Sequence, residues 1–473
     1  MEKYTKIIAT IGPASDSEQI IKKLYLAGMN VARLNFSHGN HEYFKKIIQR
    51  IKIVSDKIAI LLDTKGPEIR SGDIENEEIV LNGEDEIIIT NEKIIGTNKK
   101  ITVNYDKLMQ LKVGNKLLID DGLIAAVVVK KLEHELVIKI LNGGILGSRK
   151  TICVQGHNVE IPFMSSQDKL DIQFGIENNV DFIAASFVRC KKDVIELKKL
   201  LLKNKSNAKI ISKIEHWNAV ENFDEILNES DGIMVARGDL GIEISIEKIP
   251  RIQREIISKC NNVGKPVIVA TQMLESMKSN PRPTRAEVND VAQAILQGTD
   301  AIMLSGETAS GNYAVESVQM MATISKEYDS QVKSNIDNIL KHSNLINNFE
   351  IAKFVTQSAY HASNTLKTSA ILTPTTSGFT ARMVSRFKPK CKIIAMTENK
   401  IIYRQLGLSW GVFPIHSKKV YRHPDDLIKA FVKKSYDQKY IKRSDTIVIT
   451  AGFKMKCGHT NLLEIYPVSE ILN

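Results

Sequence analysis

Residues 207–241 read NAKIISKIEHWNAVENFDEILNESDGIMVARGDLG. Two short apolar runs, 210–214 and 232–236, each break off into charged or glycine residues. Lys213 and Glu215 stand at the end of the first; Arg237, Gly238 and Asp239 follow the second. A continuous apolar run of this length reads as a strand buried on both faces. Lys213 and Glu215 share one face of such a strand, where an isolated charge is costly. The pattern recurs at 7–11, 31–36, 58–62, 182–187, 266–270 and 301–304, making eight runs in all. Helically spaced stretches such as 18–27 and 194–202 separate most of them. Alternating strands and helices imply a parallel sheet, and eight units fit an α/β fold of the (β/α)8 TIM-barrel type.

One connection is too long for that scheme. Between the third and fourth runs the chain alternates polar and apolar residues, as at 123–132, and Asp121-Gly122 is a hairpin-type turn. This stretch reads as an inserted, β-barrel-like lid domain at 71–158. The barrel then comprises 1–70 and 159–340. Beyond it a second βα alternation begins, with strands expected at 371–372, 393–396 and 446–450 and a helix at 354–366. Residues 341–473 therefore form a C-terminal α/β domain.

The composition fits a globular chain with a large core: 473 residues, 43% hydrophobic and 25% charged. Lys+Arg 65 against Asp+Glu 54 gives +11, an excess that suits an anionic small molecule as well as RNA. No run of about 18 uncharged apolar residues occurs, and Met1–Lys6 lacks a secretory pattern, so the expected setting is cytoplasmic, without a membrane. The five cysteines, 153, 190, 260, 391 and 457, are widely spaced. They read as free thiols in a reducing compartment.

In such a barrel the chemistry lies at the carboxyl ends of the strands. After the second run Arg33, Asn35 and Ser37 share a face, with Leu34 and Phe36 pointing away. After the third comes DTKGPEIR, 63–70, and after the seventh Thr271 and Gln272. Taken singly, each segment reads equally well as a solvated loop. Together they crowd one rim with cations and oxygen ligands. Glu215 and Asp239 are a natural pair for Mg²⁺ or Mn²⁺, and Asn35, Ser37 and Asp63 can form a second all-oxygen cation site. Arg33 and Arg70 suit phosphate. Lys213 can stabilise a transferring phosphoryl group or a developing enolate. A rim with no strong base and no thiol points to phosphoryl transfer or enolate chemistry. Thr284 and Glu287 form a capping box, a structural feature.

These residues fall in stretches that resemble pyruvate kinase along nearly the whole chain: 5–15 (TKIIATIGPAS), 32–39 (ARLNFSHG), 61–70 (LLDTKGPEIR), 211–215 (ISKIE), 231–241 (DGIMVARGDLG), 265–277 (KPVIVATQMLESM) and 281–311. The resemblance implies the same three-part architecture. It implies transfer of phosphate from phosphoenolpyruvate to ADP, giving pyruvate and ATP at the last step of glycolysis. It places Arg33 on the substrate phosphate, Lys213 on the transferring group and enolate oxygen, and Glu215 and Asp239 on Mg²⁺. Asn35, Ser37, Asp63 and the Thr64 backbone would hold K⁺. The Gly238 and Asp239 backbone and Thr271 would orient the substrate carboxylate, and Arg70 and Lys150 would reach the nucleotide phosphates. Glu68 implies dependence on K⁺. Thr375, Ser377, Gly378 and Thr380 resemble the family's effector phosphate loop, for a phosphorylated or nucleotide effector, with Gly458, Thr460 and Asn461 in a second loop. A homotetramer is the family's usual assembly.

Two stretches depart from the family pattern. His216-Trp217-Asn218-Ala219 replaces Asn, any residue, Glu, Gly. Residues 151–155 replace the usual Gly-Val-Asn run after the lysine. Two other readings compete. One is a metal-dependent lyase or mutase acting on an enolpyruvate without nucleotide. The other is an RNA-binding protein that has lost catalysis. The first would not need the lid, and the second would not need Lys213, Glu215, Asp239 and Thr271.

Overall fold

A computed structural model describes residues 2–155, 161–333, 350–421, 423–452 and 460–472. The chain opens with strands β1 (Lys6–Thr10), β2 (Val31–Asn35) and β3 (Ala59–Asp63). It then leaves the barrel for β4 (Glu78–Leu81), β5 (Glu86–Thr90), β6 (Lys100–Thr102), β7 (Lys116–Ile119), β8 (Ile124–Lys131), β9 (Glu135–Ile140), β10 (Gly144–Gly147) and β11 (Ile152–Val154). It returns with β12 (Phe182–Ala185), β13 (Lys209–Ile214), β14 (Gly232–Ala236), β15 (Val267–Ala270) and β16 (Ala301–Leu304). The first three and last five of these strands close into a parallel barrel in the order β1-β16-β15-β14-β13-β12-β3-β2. Each coincides with one of the eight apolar runs.

Alternation along the strands sorts the barrel into two cores. Val31 and Leu61 point inward with Ile8, Phe182, Ile211 and Met234, while Ala32, Leu34 and Leu62 pack against the outer helices. Arg33 belongs to the inward set and lies one strand step nearer the rim than Val31. Leu408, from the C-terminal domain, joins the inner core and plugs the barrel at the end away from the rim.

The inserted segment forms a six-stranded sheet, β11-β7-β8-β9-β5-β6, and a two-stranded one, β10-β4, around a separate apolar core. Strands β7 and β8 meet at the Asp121-Gly122 turn, with Gly122 at φ 87°. The C-terminal domain is a five-stranded sheet, β19 (Val412–His416), β18 (Lys392–Thr397), β17 (Ala370–Pro374), β20 (Thr446–Ala451) and β21 (Leu462–Pro467), with only β21 antiparallel. The helix expected at 354–366 runs Glu350–Thr365. Arg404 ties this domain to the barrel through Asp181 at 2.8 Å, and Lys388 through Asp300 at 3.1 Å. Cysteines 153, 190, 260 and 391 are free; Cys457 lies outside the described residues. Among the described residues no helix is long and apolar enough to cross a membrane.

Candidate active site

At the carboxyl ends of the strands a cleft of about 640 Å³ separates the barrel rim from the lid. Arg33, Asn35, Ser37, Thr64, Glu68, Arg70, Lys150, Lys213, Glu215 and Asp239 all line it. Parallel pairing sets Asn35 beside Asp63, so two donors of the expected K⁺ site are neighbours by register.

Lys213 is the hub. Its Nζ lies 2.7 Å from Glu215 Oε1, 3.1 Å from Asp63 Oδ1 and 2.8 Å from Ser186 Oγ, with only 8% of the residue exposed. Asp63, fully buried, takes Arg33 Nε on its other oxygen at 2.7 Å, and Arg33 also donates to Thr10 Oγ1 at 2.9 Å. Burial alone would raise the Asp63 carboxyl, but Lys213 and Arg33 outweigh it and hold it below its ordinary value. Burial likewise works against the Lys213 ammonium, and Asp63, Glu215 and Asp239 overcome it and raise its pKa.

Glu215 behaves differently. Burial, aided by neighbouring Asp239, pushes it up to about 7 despite Lys213 and the Phe187 N–H at 2.7 Å. Asp239 is raised by burial too. Two cations, Arg33 and Lys213, face three carboxylates, Asp63, Glu215 and Asp239. The pocket is therefore short of positive charge beside the Glu215–Asp239 pair. A divalent cation would relieve that shortage. Among the described residues no group of three or more His, Cys, Asp or Glu gathers at metal-binding spacing. Two carboxylates plus substrate oxygens and waters are nevertheless a usual set for Mg²⁺, and the donors fit.

Thr271 and Gly238 do not line the cleft directly. Thr271 Oγ1 accepts the Gly238 N–H at 2.7 Å and donates to the Ala270 carbonyl at 2.6 Å. Thr271 and Gln272 both have positive φ, 68° and 51°, costly for a β-branched residue. Arg237 holds this turn. Its guanidinium donates to the Thr271 carbonyl at 2.7 Å and is anchored by Asp290 at 2.7 Å.

On the lid side Lys150 Nζ reaches Asp120 at 2.9 Å, and Arg70 pairs with Glu68 at 2.6 Å and donates to the Arg149 carbonyl. In the C-terminal domain Thr375 Oγ1 accepts the Gly378 N–H at 2.9 Å, and the Ser377 carbonyl accepts from Arg382 at 3.2 Å. Thr380 Oγ1 meets Thr460 Oγ1 at 2.6 Å, joining the two suggested effector loops; Gly458 lies outside the described residues. Sequence reasoning missed Ser186, which bonds Lys213 and donates to the Thr64 carbonyl at 2.6 Å. Its only signal was a hydroxyl where the fourth apolar run ends. It also missed Arg237, hidden among the charges after β14.

Barrel, lid and a rim of buried cations and carboxylates define a metal-dependent phosphotransferase. The family models for the pyruvate kinase barrel domain and the pyruvate kinase alpha/beta domain match residues 2–318 and 353–466. A pyruvate kinase of Bacillus licheniformis is 47% identical over 99% of this chain and 81% of its own length. That of Geobacillus stearothermophilus is 45% identical over all of this chain and 81% of its own. The crystal structure of a pyruvate kinase from Cryptosporidium parvum superposes with a TM-score of 0.92 at 37% identity, covering 98% of this chain and 96% of that one. The chain belongs to the pyruvate kinase family, and its reaction is phosphoryl transfer from phosphoenolpyruvate to ADP, giving pyruvate and ATP.

Proposed function

We propose the following division of labour for that reaction. Arg33, fixed by Asp63 and Thr10, binds the substrate phosphate. Lys213 meets the phosphoryl group in flight and then the enolate oxygen left behind. Glu215 and Asp239 hold Mg²⁺ or Mn²⁺, which offsets the mutual repulsion of the gathered anions. Asn35, Ser37, Asp63 and the Thr64 carbonyl hold K⁺. The substrate carboxylate takes the Gly238 N–H from Thr271 Oγ1 and accepts the Asp239 N–H, and the Thr271 hydroxyl turns its proton from the Ala270 carbonyl to the carboxylate. Arg70 and Lys150 exchange Glu68 and Asp120 for the phosphates of ADP. The lid keeps water from the transferring group.

The observation that carries this reading is Lys213 among Asp63, Glu215 and Ser186. The same reading assigns catalysis to 1–70 with 159–340, the lid to 71–158 and an effector-binding role to 341–473, in a cytoplasmic homotetramer. A phosphate-bearing effector would sit at Thr375, Ser377, Gly378 and Thr380, where Thr380 already contacts Thr460. The test is pyruvate formation from phosphoenolpyruvate and ADP with Mg²⁺, with and without K⁺. Stimulation by K⁺ of about tenfold, equivalent to roughly 1.4 kcal/mol, is expected. Activity indifferent to K⁺ removes the proposed cation from Asn35, Ser37, Asp63 and Thr64.

A further inference from the structure

The two stretches that depart from the family pattern meet in space. Cys153 lies in β11 of the lid, and His216 follows Glu215 directly on the barrel rim. Both approach Glu243, the last residue of the Arg237–Glu243 helix, whose first turn carries Asp239. Cys153 Sγ donates to Glu243 Oε1 at 2.9 Å. His216 Nδ1 accepts the Asn218 N–H at 3.2 Å, so the ring proton sits on Nε2, which stands 3.3 Å from Glu243 Oε2. Burial pushes the Glu243 carboxyl up to about 7 against the pull of the Cys153 hydrogen bond; ionised, above that pH, it is an acceptor only and faces two donors, one from each side of the cleft. Glu243 Oε2 is buried without a hydrogen bond, so a small turn of the His216 ring, on the same rim as Glu243, would complete the second contact and brace the carboxylate that meets the lid. Next to it Gln155 Nε2 donates to the Ile242 carbonyl at 3.3 Å, a second lid contact on the same helix.

We propose that Cys153, Glu243 and His216 form a tie that holds the lid closed against the helix carrying Asp239, with Glu243 as the positioning residue. All three line the cleft, but the tie gives none of them a contact with the reacting atoms. The tie acts by fixing where the lid, and Arg70 and Lys150 with it, stands relative to Glu215 and Asp239. Its link to ADP rests on the nucleotide role assigned above to Arg70 and Lys150.

Two readouts on the full-length protein separate the tie from that role. The first is the rate at which iodoacetamide alkylates Cys153, followed by peptide mass spectrometry, with fully buried Cys260 as internal reference. Glu243→Gln puts an amide donor where two donors already point. Cys153 should then react about tenfold faster, as expected for loss of a charge-assisted hydrogen bond, with Cys260 unchanged. The second is the KM for ADP, which should rise by a similar factor while kcat and the KM for phosphoenolpyruvate stay within about twofold. An unchanged Cys153 rate overturns the tie. So does equal loss on both substrates. A faster Cys153 with an unchanged KM for ADP keeps the tie and removes the nucleotide from Arg70 and Lys150. Should Cys260 accelerate as well, the fold has loosened and the Cys153 pair decides. Cys153→Ser keeps a donor and should keep the KM for ADP; Cys153→Val should raise it, and equal values for the two overturn the proposal.

Discussion

Replacing Lys213 by Met removes one charge and keeps most of the volume. The structure says what is left behind. Asp63 retains Arg33 at 2.7 Å, and Glu215 retains the Phe187 N–H at 2.7 Å, but Glu215 then faces Asp239 with no cation between. Breaking a buried pair costs about 3–5 kcal/mol. Here the partners that remain put the loss near the lower end, about 3 kcal/mol, which a large chain survives. Catalysis suffers more. A preorganised group aimed at charge that develops in the transition state is worth about 10²–10³ in kcat. Lys213 is proposed to serve twice, at the phosphoryl group and at the enolate oxygen, so a fall of about 10³ or more is expected. Because Arg33, proposed to bind the substrate phosphate, stays fixed by Asp63 and Thr10, the KM for phosphoenolpyruvate should change far less. The assay is initial-rate pyruvate formation at saturating Mg²⁺, K⁺ and ADP, with thermal unfolding to show that the variant is folded. A folded Lys213→Met enzyme retaining a tenth of wild-type kcat would refute the assignment.

Three further outcomes follow from the same geometry. Burial pushes the Glu215 carboxyl up to about 7, so a cation bound there competes with a proton. Mn²⁺ affinity, read by paramagnetic resonance, should therefore weaken as pH falls below about 7, by up to tenfold per unit; a flat profile from pH 6 to 8 would count against Glu215 as ligand. Arg237→Gln frees the Thr271–Gln272 turn from its clamp. The KM for phosphoenolpyruvate should rise about tenfold, for roughly one lost charge-assisted bond, with partial rescue in Arg237→Lys. Arg404→Ala leaves Asp181 buried without its cation and should cost about 3 kcal/mol in a denaturant titration. Asp181 is already pushed up to about 6, by burial against the pull of Arg404. The folded state holds that proton from its ordinary value of 3.8 up to about 6, so this group's contribution to stability falls as pH rises through the window. Loss of Arg404 should extend the fall to higher pH.

The parts legible in the sequence are those where one local pattern had one physical solution. Eight apolar runs could bury both faces only in a covered parallel sheet, and β1, β2, β3 and β12–β16 formed there. Alternation around Arg33 sent Leu34 outward into the helix-packed core and left the guanidinium inside. In contrast β19 and β21 were not legible. The β19 sequence VFPIH contains a proline, and LLEIYP of β21 alternates around half-buried positions, as expected of sheet edges. The site was legible wherever charges ended apolar runs and illegible wherever a residue works through a tertiary neighbour. Ser186 looks like any hydroxyl until β3, β12 and β13 lie side by side and set it between Thr64 and Lys213.

The same logic explains why the two departures from the family pattern could be seen and not understood. Cys153 and His216 are far apart in the chain, and neither is unusual alone. Only the helix that follows β14 brings a single carboxylate between them. That helix begins with the residues proposed to bind substrate carboxylate and metal and ends at the lid contact. The helix is a fixed seven-residue post on the rim against which the lid is held. Asp239, in the first turn, stays held beside Glu215, so substitutions that change the lid contact are expected to be felt on the lid side, at Arg70 and Lys150. Lid position and ADP affinity should then vary together across variants of Cys153, His216 and Glu243.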